Sequence, residues 1–112
     1  MTDNEFIALV DRALSRIGQA IDDAADRSDA DVDWSLNDGI LEIDCDAGGK
    51  LIVNRHVANR EIWVAARSGG HHFRIEGGGW RDTRSGAELG AEVTRLLREQ
   101  GVAIELEALR AG

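Results

Sequence analysis

The chain has 112 residues, 43% of them hydrophobic, and a formal net charge of −8. This length suits one core and is too short for two ordinary domains, so we expect a single domain over residues 1–112. The negative charge argues against nucleic-acid binding, which needs clustered basic residues, and no apolar run approaches the ~18 residues of a membrane helix.

The N-terminus predicts an unexported protein, because it lacks the positive and apolar segments of a signal peptide. The one cysteine, Cys45, cannot form an intramolecular disulfide or a cysteine-based zinc site. We therefore expect a cytoplasmic location, with Cys45 as a buried and inert thiol.

The first predicted element is a helix. Thr2 and Glu5 have the spacing of a capping box, and an apolar stripe follows at three- and four-residue steps. The stripe consists of Phe6, Val10, Ala13, Leu14, Ile17, Ile21 and Ala24. The pattern predicts a helix from Asp3 to about Ala25, weakened in its middle by Gly18.

From residue 32 onward the period changes to two, which is typical of half-buried strands. Asn37-Asp38-Gly39 is a hairpin signal, Ala47-Gly48-Gly49 predicts the next turn, and Ser68-Gly69-Gly70 a later one. Further strands are predicted around residues 40–43, 51–53, 62–64 and 72–75, with a short one at 80–82. The short connections favour an antiparallel meander.

A second helix is predicted near the C-terminus. Ser85 and Glu88 repeat the capping-box spacing, and an apolar stripe precedes Gly101. The apolar tail beyond it should pack beside the helices. The fold class is therefore α+β, a two-layer sandwich with two terminal helices on one face of an antiparallel five- or six-stranded sheet.

Acidic residues crowd one part of the chain. Residues 1–46 hold 13 acids against three arginines, a net charge of −10, whereas residues 47–112 have a net charge of +2. The densest group is Asp22, Asp23, Asp26, Asp29, Asp31 and Asp33. One interpretation is a solvated acidic surface. Acids near a helix C-terminus, however, oppose the helix dipole, and acids one turn apart repel one another, so this unfavourable arrangement favours a function for the group.

Carboxylates without clustered thiols or imidazoles suit hard cations such as iron, manganese, calcium or magnesium. Asp29-x-Asp31-x-Asp33 resembles the start of a calcium EF-hand loop, but Trp34 and Ile40 occupy the positions that need Gly and Glu. The sequence predicts an open ridge of carboxylates that binds metal weakly, and it predicts no catalytic residue.

A second candidate surface lies on the sheet. Alternation in residues 61–67 sends Ile62 and Val64 toward the helices and leaves Trp63 exposed, where it is a candidate for a protein interface or a mere cover of the sheet. His71 and His72 should point to opposite faces, and His56 is expected in a separate turn, so the three histidines form no metal motif.

These residues resemble the frataxin family, specifically its bacterial branch. The matching stretches are Glu5-Phe6, Asp22-Asp23, Asn37-Asp38-Gly39-Ile40-Leu41, Ile52-Val53-Asn54-Arg55, Ile62-Trp63-Val64-Ala65, Gly69-Gly70, His72-Phe73, Trp80 and Arg84-Ser85-Gly86. Together they span most of the chain in the family's order. Gly18 and Gln19 stand where acidic residues are common in the family.

The resemblance implies weak binding of Fe²⁺ or Fe³⁺ at the six aspartates, with Asp3, Glu5 and Asp11 as weaker candidates. It also implies docking on the cysteine desulfurase and on the iron-sulfur scaffold protein, the latter through the sheet surface. The candidate partner-binding residues are Asn54, Arg55, Trp63 and His72. We expect a monomer, with iron-dependent oligomers as an alternative.

Three functions follow as hypotheses. The first is an iron-responsive regulator or iron donor in iron-sulfur cluster assembly, acting by electrostatic docking. The second is a ferroxidase-like activity at the acidic ridge, as proposed within the family. The third is a metal-independent acidic module that binds protein partners.

Overall fold

The computed structural model describes residues 1–45 and 49–111, and it contains two helices and a six-stranded sheet in this part of the chain. The elements are α1 (Asp3–Arg27), β1 (Val32–Asn37), β2 (Ile40–Cys45), β3 (Lys50–His56), β4 (Glu61–Ala66), β5 (Gly69–Glu76), β6 (Gly79–Asp82) and α2 (Leu89–Glu99). The predicted turn at Ala47 and Gly48 lies outside the described residues. The predicted α+β fold class is confirmed, with six strands.

Helix α1 begins as predicted. The Thr2 hydroxyl accepts from the Glu5 amide at 3.1 Å, and the Glu5 carboxylate accepts from the Thr2 amide at 2.9 Å. All seven residues of the predicted apolar stripe are buried, and the helix continues two residues beyond Ala25. The stripe therefore fixes which face of α1 meets the sheet.

The six strands form one antiparallel sheet in chain order, β1 to β6. Leu41, Ile43, Val53, Ile62 and Val64 are fully or almost fully buried beneath the helices. For Ile62 and Val64 this is the side that alternation predicted. Neither helix of the described residues covers the opposite face. No helix of the described chain is long and apolar enough to cross a membrane.

Helix α2 starts three residues later than the Ser85 capping box predicted, and that part of the prediction is wrong. Glu88 is the N-cap, and its carboxylate accepts from the amides of Gly90 and Ala91 at 2.9 and 3.0 Å. Ser85 instead accepts from the Ala87 amide at 3.1 Å in the preceding turn. The N-cap of α2 is therefore the carboxylate of Glu88 and not the hydroxyl of Ser85.

The C-terminal tail packs against the fold, as predicted. Val102, Ile104 and Leu109 are buried, and the Leu109 amide donates to the Glu88 carboxylate at 2.8 Å. A Cβ on Gly90 would lie 2.3 Å from the Glu107 carbonyl oxygen, so the tail approaches α2 closely where only glycine fits. The tail is therefore part of the packed structure.

Candidate functional site

We define the acidic cluster as Asp22, Asp23, Asp26, Asp29, Asp31 and Asp33. It extends from the last turns of α1 through the connection into β1, and every member is exposed. Within residues 1–45 and 49–111, no group of three or more His, Cys, Asp or Glu side chains is arranged to hold a metal ion. The cluster therefore presents separate carboxylates and not a preformed chelate.

Asp22 is held in place by a tryptophan from the next strand. The indole Nε1 of Trp34 donates to Asp22 Oδ1 at 2.9 Å, which ties the end of α1 to β1. A Cβ on Gly18 would lie 2.7 Å from the Trp34 ring, so the indole lies where only a glycine leaves room for it. The glycine that weakens the helix in isolation is required by this packing.

Five members of the acidic cluster, all except Asp31, make no ion pair with a residue in 1–45 or 49–111. Asp23 accepts a hydrogen bond from the neutral Gln19 amide at 3.2 Å. Asp26, Asp29 and Asp33 make no hydrogen bond or ion pair with any residue that the structure describes. No side chain of the described residues therefore compensates these three charges, and Asp26, in the last turn of α1, also opposes the helix macrodipole.

The three weaker candidates are already engaged near the other end of α1. Asp3 pairs with Arg60 at 2.9 Å, and Asp11 pairs with Arg55 at 3.1 Å. Hydrogen bonds from Thr2 lower the pKa of Glu5 below its ordinary value. Asp3 lies about 28 Å along the helix axis from Asp22, so these acids do not extend the cluster.

Three of the predicted partner-binding residues meet on the open face of the sheet. Asn54 of β3 pairs with Trp63 of β4, which pairs in turn with His72 of β5. The Trp63 ring is stacked between His56 and His72, with centroid distances of 3.8 and 4.4 Å. We call this surface the tryptophan face, comprising Ile40, Asn54, His56, Trp63 and His72.

Two members of the tryptophan face escaped the sequence analysis. The prediction that His56 sits in a separate turn is wrong, because β3 extends to His56 and the turn follows it. Ile40, which pairs with Asn54 across β2 and β3, remains 49% exposed. Knowledge of the strand register would have revealed both residues. Ile40 pairs with Asn54, the partner of Trp63, and His56 lies two residues from Asn54 on the same face of β3.

Glu61 lies two residues before Trp63 on β4 and binds its indole. It is only 3% exposed, and its carboxylate accepts from Trp63 Nε1 at 2.7 Å and from Arg74 Nε at 2.8 Å. Burial raises the pKa of Glu61, but the hydrogen bonds from Trp63 and Arg74 and the charges of Arg74 and His72 outweigh it, so the net pKa is lowered. The orientation of the indole is therefore fixed by a buried anion.

Arg55 lies apart from the other candidate partner-binding residues. It points to the helix side of the sheet, where it is 17% exposed and pairs with Asp11 and with Asp38 at 3.3 Å. A Cβ on Gly39 would lie 2.6 Å from its guanidinium carbon. This geometry supports a structural role, linking α1 to the β1–β2 turn.

Cys45 and Asp82 have pKa values that the surrounding structure shifts. Burial raises the pKa of the Cys45 thiol, which disfavours the reactive thiolate. Burial also raises the pKa of Asp82, but hydrogen bonds from the amides of Arg84 and Ser85 and from His71 lower it on balance. His71 thus lies on the side of the sheet opposite His72, as the alternation predicted.

Two helices on one face of a six-stranded antiparallel meander define the class of fold, and the sequence comparison agrees. Residues 1–102 match the family model described as a frataxin-like domain. The chain belongs to the frataxin-like family.

Within this family, the chain falls in the bacterial CyaY branch. It is 50% identical over 108 residues to the iron-sulfur cluster assembly protein CyaY of Dechloromonas aromatica strain RCB, covering 95% of this chain and 99% of the relative. The solved frataxin of Psychromonas ingrahamii superimposes with a TM-score of 0.76 at 31% identity, covering 94% and 97% of the two chains.

A more distant structure supports the fold alone. The ferrous complex of trimeric frataxin from the yeast Saccharomyces cerevisiae has a TM-score of 0.72 at 23% identity, covering 82% of this chain and 84% of the yeast chain.

Proposed function

We propose that this chain binds iron and regulates iron-sulfur cluster assembly or supplies iron to it, as a single cytoplasmic frataxin-like domain. The names of its CyaY relatives support the process. The observation that carries the proposal is that Asp26, Asp29 and Asp33 have no partner among the residues that the structure describes, although they lie next to like charges. A bound cation or a basic protein surface would relieve that repulsion.

Iron is the substrate or cargo of the acidic cluster. Carboxylate oxygens suit a hard cation, and separate exposed carboxylates leave room for the ion to keep several waters, which favours weak and reversible binding. Within residues 1–45 and 49–111, Asp22 and Asp23 accept only from the neutral donors Trp34 and Gln19, so their charges remain available to the cation. The surface therefore attracts iron without enclosing it.

Two surfaces serve two partners in this proposal. The acidic cluster meets a basic surface of the cysteine desulfurase, and the tryptophan face meets the scaffold protein. An aromatic ring held by stacked histidines, beside the exposed Ile40, has the composition of a binding hot spot. Bound iron would reduce the negative charge that the desulfurase encounters, which couples iron supply to docking.

The test of iron binding is an anaerobic NMR titration with Fe²⁺ of the wild type and two matched variants. The cluster variant carries Asp26→Asn, Asp29→Asn and Asp33→Asn, and the control variant carries Glu76→Gln, Glu105→Gln and Glu107→Gln, for the same charge change. We expect Fe²⁺ to broaden cluster signals in the wild type and the control variant, and far less in the cluster variant. Equal broadening in all three proteins would contradict the proposal.

The test of scaffold docking is Ile40→Lys, which places a charge on the tryptophan face without touching the core. We expect weaker binding to the scaffold protein in calorimetry and an unchanged free energy of unfolding. Ala58→Lys, an exposed position in the turn after β3, is the control. Equal affinities of the two variants would remove the tryptophan face from the proposal.

A second candidate function is a metal-independent acidic module. The observation that favours it is the lack of a three-ligand group in the described part of the chain. In that case the affinity for the desulfurase would be the same with a strong chelator and with added Fe²⁺, and the titration above would give no localised broadening.

A further inference from the structure

The two edge strands of the sheet, β1 and β6, differ in whether another segment pairs with their outer side. At β6, Gly79 forms a bridge with Arg110 of the tail, and the Ala111 amide donates to the Gly78 carbonyl at 2.9 Å. At the other edge, no segment of residues 1–45 or 49–111 pairs with the outer side of β1. One edge is therefore closed by the chain itself and the other is left open.

The geometry of the hairpin shows which backbone groups the open edge presents. Asp38 and Gly39 both have positive φ, 46° and 76°, which is typical of a two-residue turn whose closing pair, Asn37 and Ile40, is hydrogen-bonded. The Arg55 amide reaches the Gly39 carbonyl at 2.9 Å, which makes Ile40 a non-hydrogen-bonded partner of β3 and directs its own backbone toward β1.

Hydrogen-bonded and non-hydrogen-bonded pairs alternate along an antiparallel ladder. Counting back from Asn37, Ser35 and Asp33 also direct their backbone groups to β2. The amides and carbonyls of Val32, Trp34 and Leu36 consequently point away from the sheet. The open edge thus offers three donors and three acceptors in a regular row.

This edge lacks most of the features that natural sheets use to prevent edge pairing. Its register with β2 is continuous from Val32 to Asn37, with no bulge, and the strand has neither proline nor lysine. Among the described residues its protection is acidic, with Asp33 in the strand and Asp29 and Asp31 before it. A second copy of the chain would bring like charges together, whereas a basic strand would gain from them.

We propose that the outer edge of β1 accepts an extended, lysine- or arginine-bearing segment of a partner protein as a seventh strand. This inference rests on the proposed docking of a basic partner and specifies its main-chain contact. Alternate side chains of the added strand would lie beside Asp33 on the open face and beside Val32 and Leu36 on the helix side. A segment that alternates basic and apolar residues fits both sides.

The experiment uses two capped peptides of alternating lysine and valine. In the second peptide, the backbone nitrogens on the pairing side are N-methylated, so charge and sequence are kept while hydrogen bonding is lost. Amide hydrogen exchange is followed by NMR at Val32, Trp34 and Leu36, with Ser35 as the internal reference that is already bonded to β2.

We expect the first peptide, at about ten times its Kd, to slow exchange of these three amides about tenfold, and the methylated peptide to leave it unchanged. Asp33→Asn should weaken binding of the first peptide, whereas Glu105→Gln should not.

Three results would overturn the inference, and they separate it from the proposed function. If both peptides bind equally and exchange is unchanged, edge pairing is refuted while electrostatic docking stands. If neither peptide binds, both edge pairing and docking of a basic partner fail. If the protein alone shows protection that rises with its own concentration, the edge pairs with a second copy instead.

Discussion

The molecule uses its carboxylates in two contrasting ways. Glu61, Asp82 and Glu88 are buried or half-buried, and each accepts hydrogen bonds that hold two elements together. Asp26 and Asp33 of the acidic cluster are exposed and have no partner among the described residues. We call the first set the anchored carboxylates. The difference indicates that the anchored carboxylates maintain the fold, whereas Asp26 and Asp33 make no contact with the described residues that would do so.

The largest effect should come from Glu61→Ala. This change removes a buried anion and leaves the Trp63 Nε1 donor unsatisfied, whereas Arg74 is 62% exposed and becomes hydrated, so we expect a loss of about 2–3 kcal/mol in the free energy of unfolding. Glu42→Ala is the control, because Glu42 pairs with Lys50 in solvent and should cost less than about 1 kcal/mol. Urea denaturation measures both free energies of unfolding. Similar losses in the two variants would contradict the claim that Glu61 stabilises the fold more than an exposed carboxylate does.

Glu88→Ala should have the next largest effect. The variant loses the N-cap of α2 and the hydrogen bond from the Leu109 amide, which together contribute about 2 kcal/mol. Hydrogen exchange should increase in the tail as well as in the first turn of α2. Increased exchange in the helix turn alone would show that Glu88 does not anchor the tail.

Gly18→Ala should cost about 1 kcal/mol. The gain in helix propensity, about 1 kcal/mol, opposes a larger strain of about 1–3 kcal/mol from the contact with the Trp34 ring. Displacement of the indole should also change tryptophan fluorescence as the bond to Asp22 breaks. Ser15→Ala, at an exposed position of α1, should change neither quantity, and a stabilised Gly18→Ala protein would contradict the packing described above.

Acid should remove the stability that Glu61 and Asp82 contribute to the fold. The pKa values of Glu61 and Asp82 are lowered from 4.5 and 3.8, so the stability they contribute is present above these values and is lost as pH falls through the lower folded pKa values. Glu61→Gln should therefore show a shallower fall of the unfolding free energy below about pH 4.5 than the wild type. An equally steep fall would assign the acid sensitivity to other groups.

The smallest effect on stability should come from the acidic cluster. We expect Asp26→Asn to leave the free energy of unfolding within about 0.5 kcal/mol of the wild type, because it breaks no contact among described residues and removes a charge that opposes the dipole of α1. Thermal denaturation at low and high salt measures this. A loss above 1 kcal/mol would place Asp26 among the anchored carboxylates.

Much of the fold follows from local patterns in the sequence. The Thr2–Glu5 capping box, the apolar stripe of α1 and the Asp38-Gly39 turn each act within a few residues, and each was predicted correctly. The acidic cluster was recognised because its members are close in sequence. These features need no knowledge of which strands pair.

The remaining features depend on contacts between distant residues. Alternation puts Glu61 on the open face beside Trp63, yet Glu61 is buried, with hydrogen bonds from Trp63 of its own strand and from Arg74 of the neighbouring strand β5. The sequence showed that Gly18 lowers the helix propensity of α1. It did not show why glycine is needed there, because the indole that requires the space belongs to Trp34, 16 positions along the chain. The N-cap of α2 was misplaced because Glu88, expected as the third helical residue of a Ser85 capping box, is itself the N-cap and accepts from the amides of Gly90 and Ala91.

The account is tested most directly by the affinity for the cysteine desulfurase of the cluster variant and the control variant, measured by calorimetry under the same conditions. Both carry the same change in net charge, so only the position of the removed charges differs. We expect the cluster variant to bind at least about tenfold more weakly than the control variant, with the difference shrinking at high salt. Equal affinities of the two variants would show that the acidic cluster does not form the docking surface.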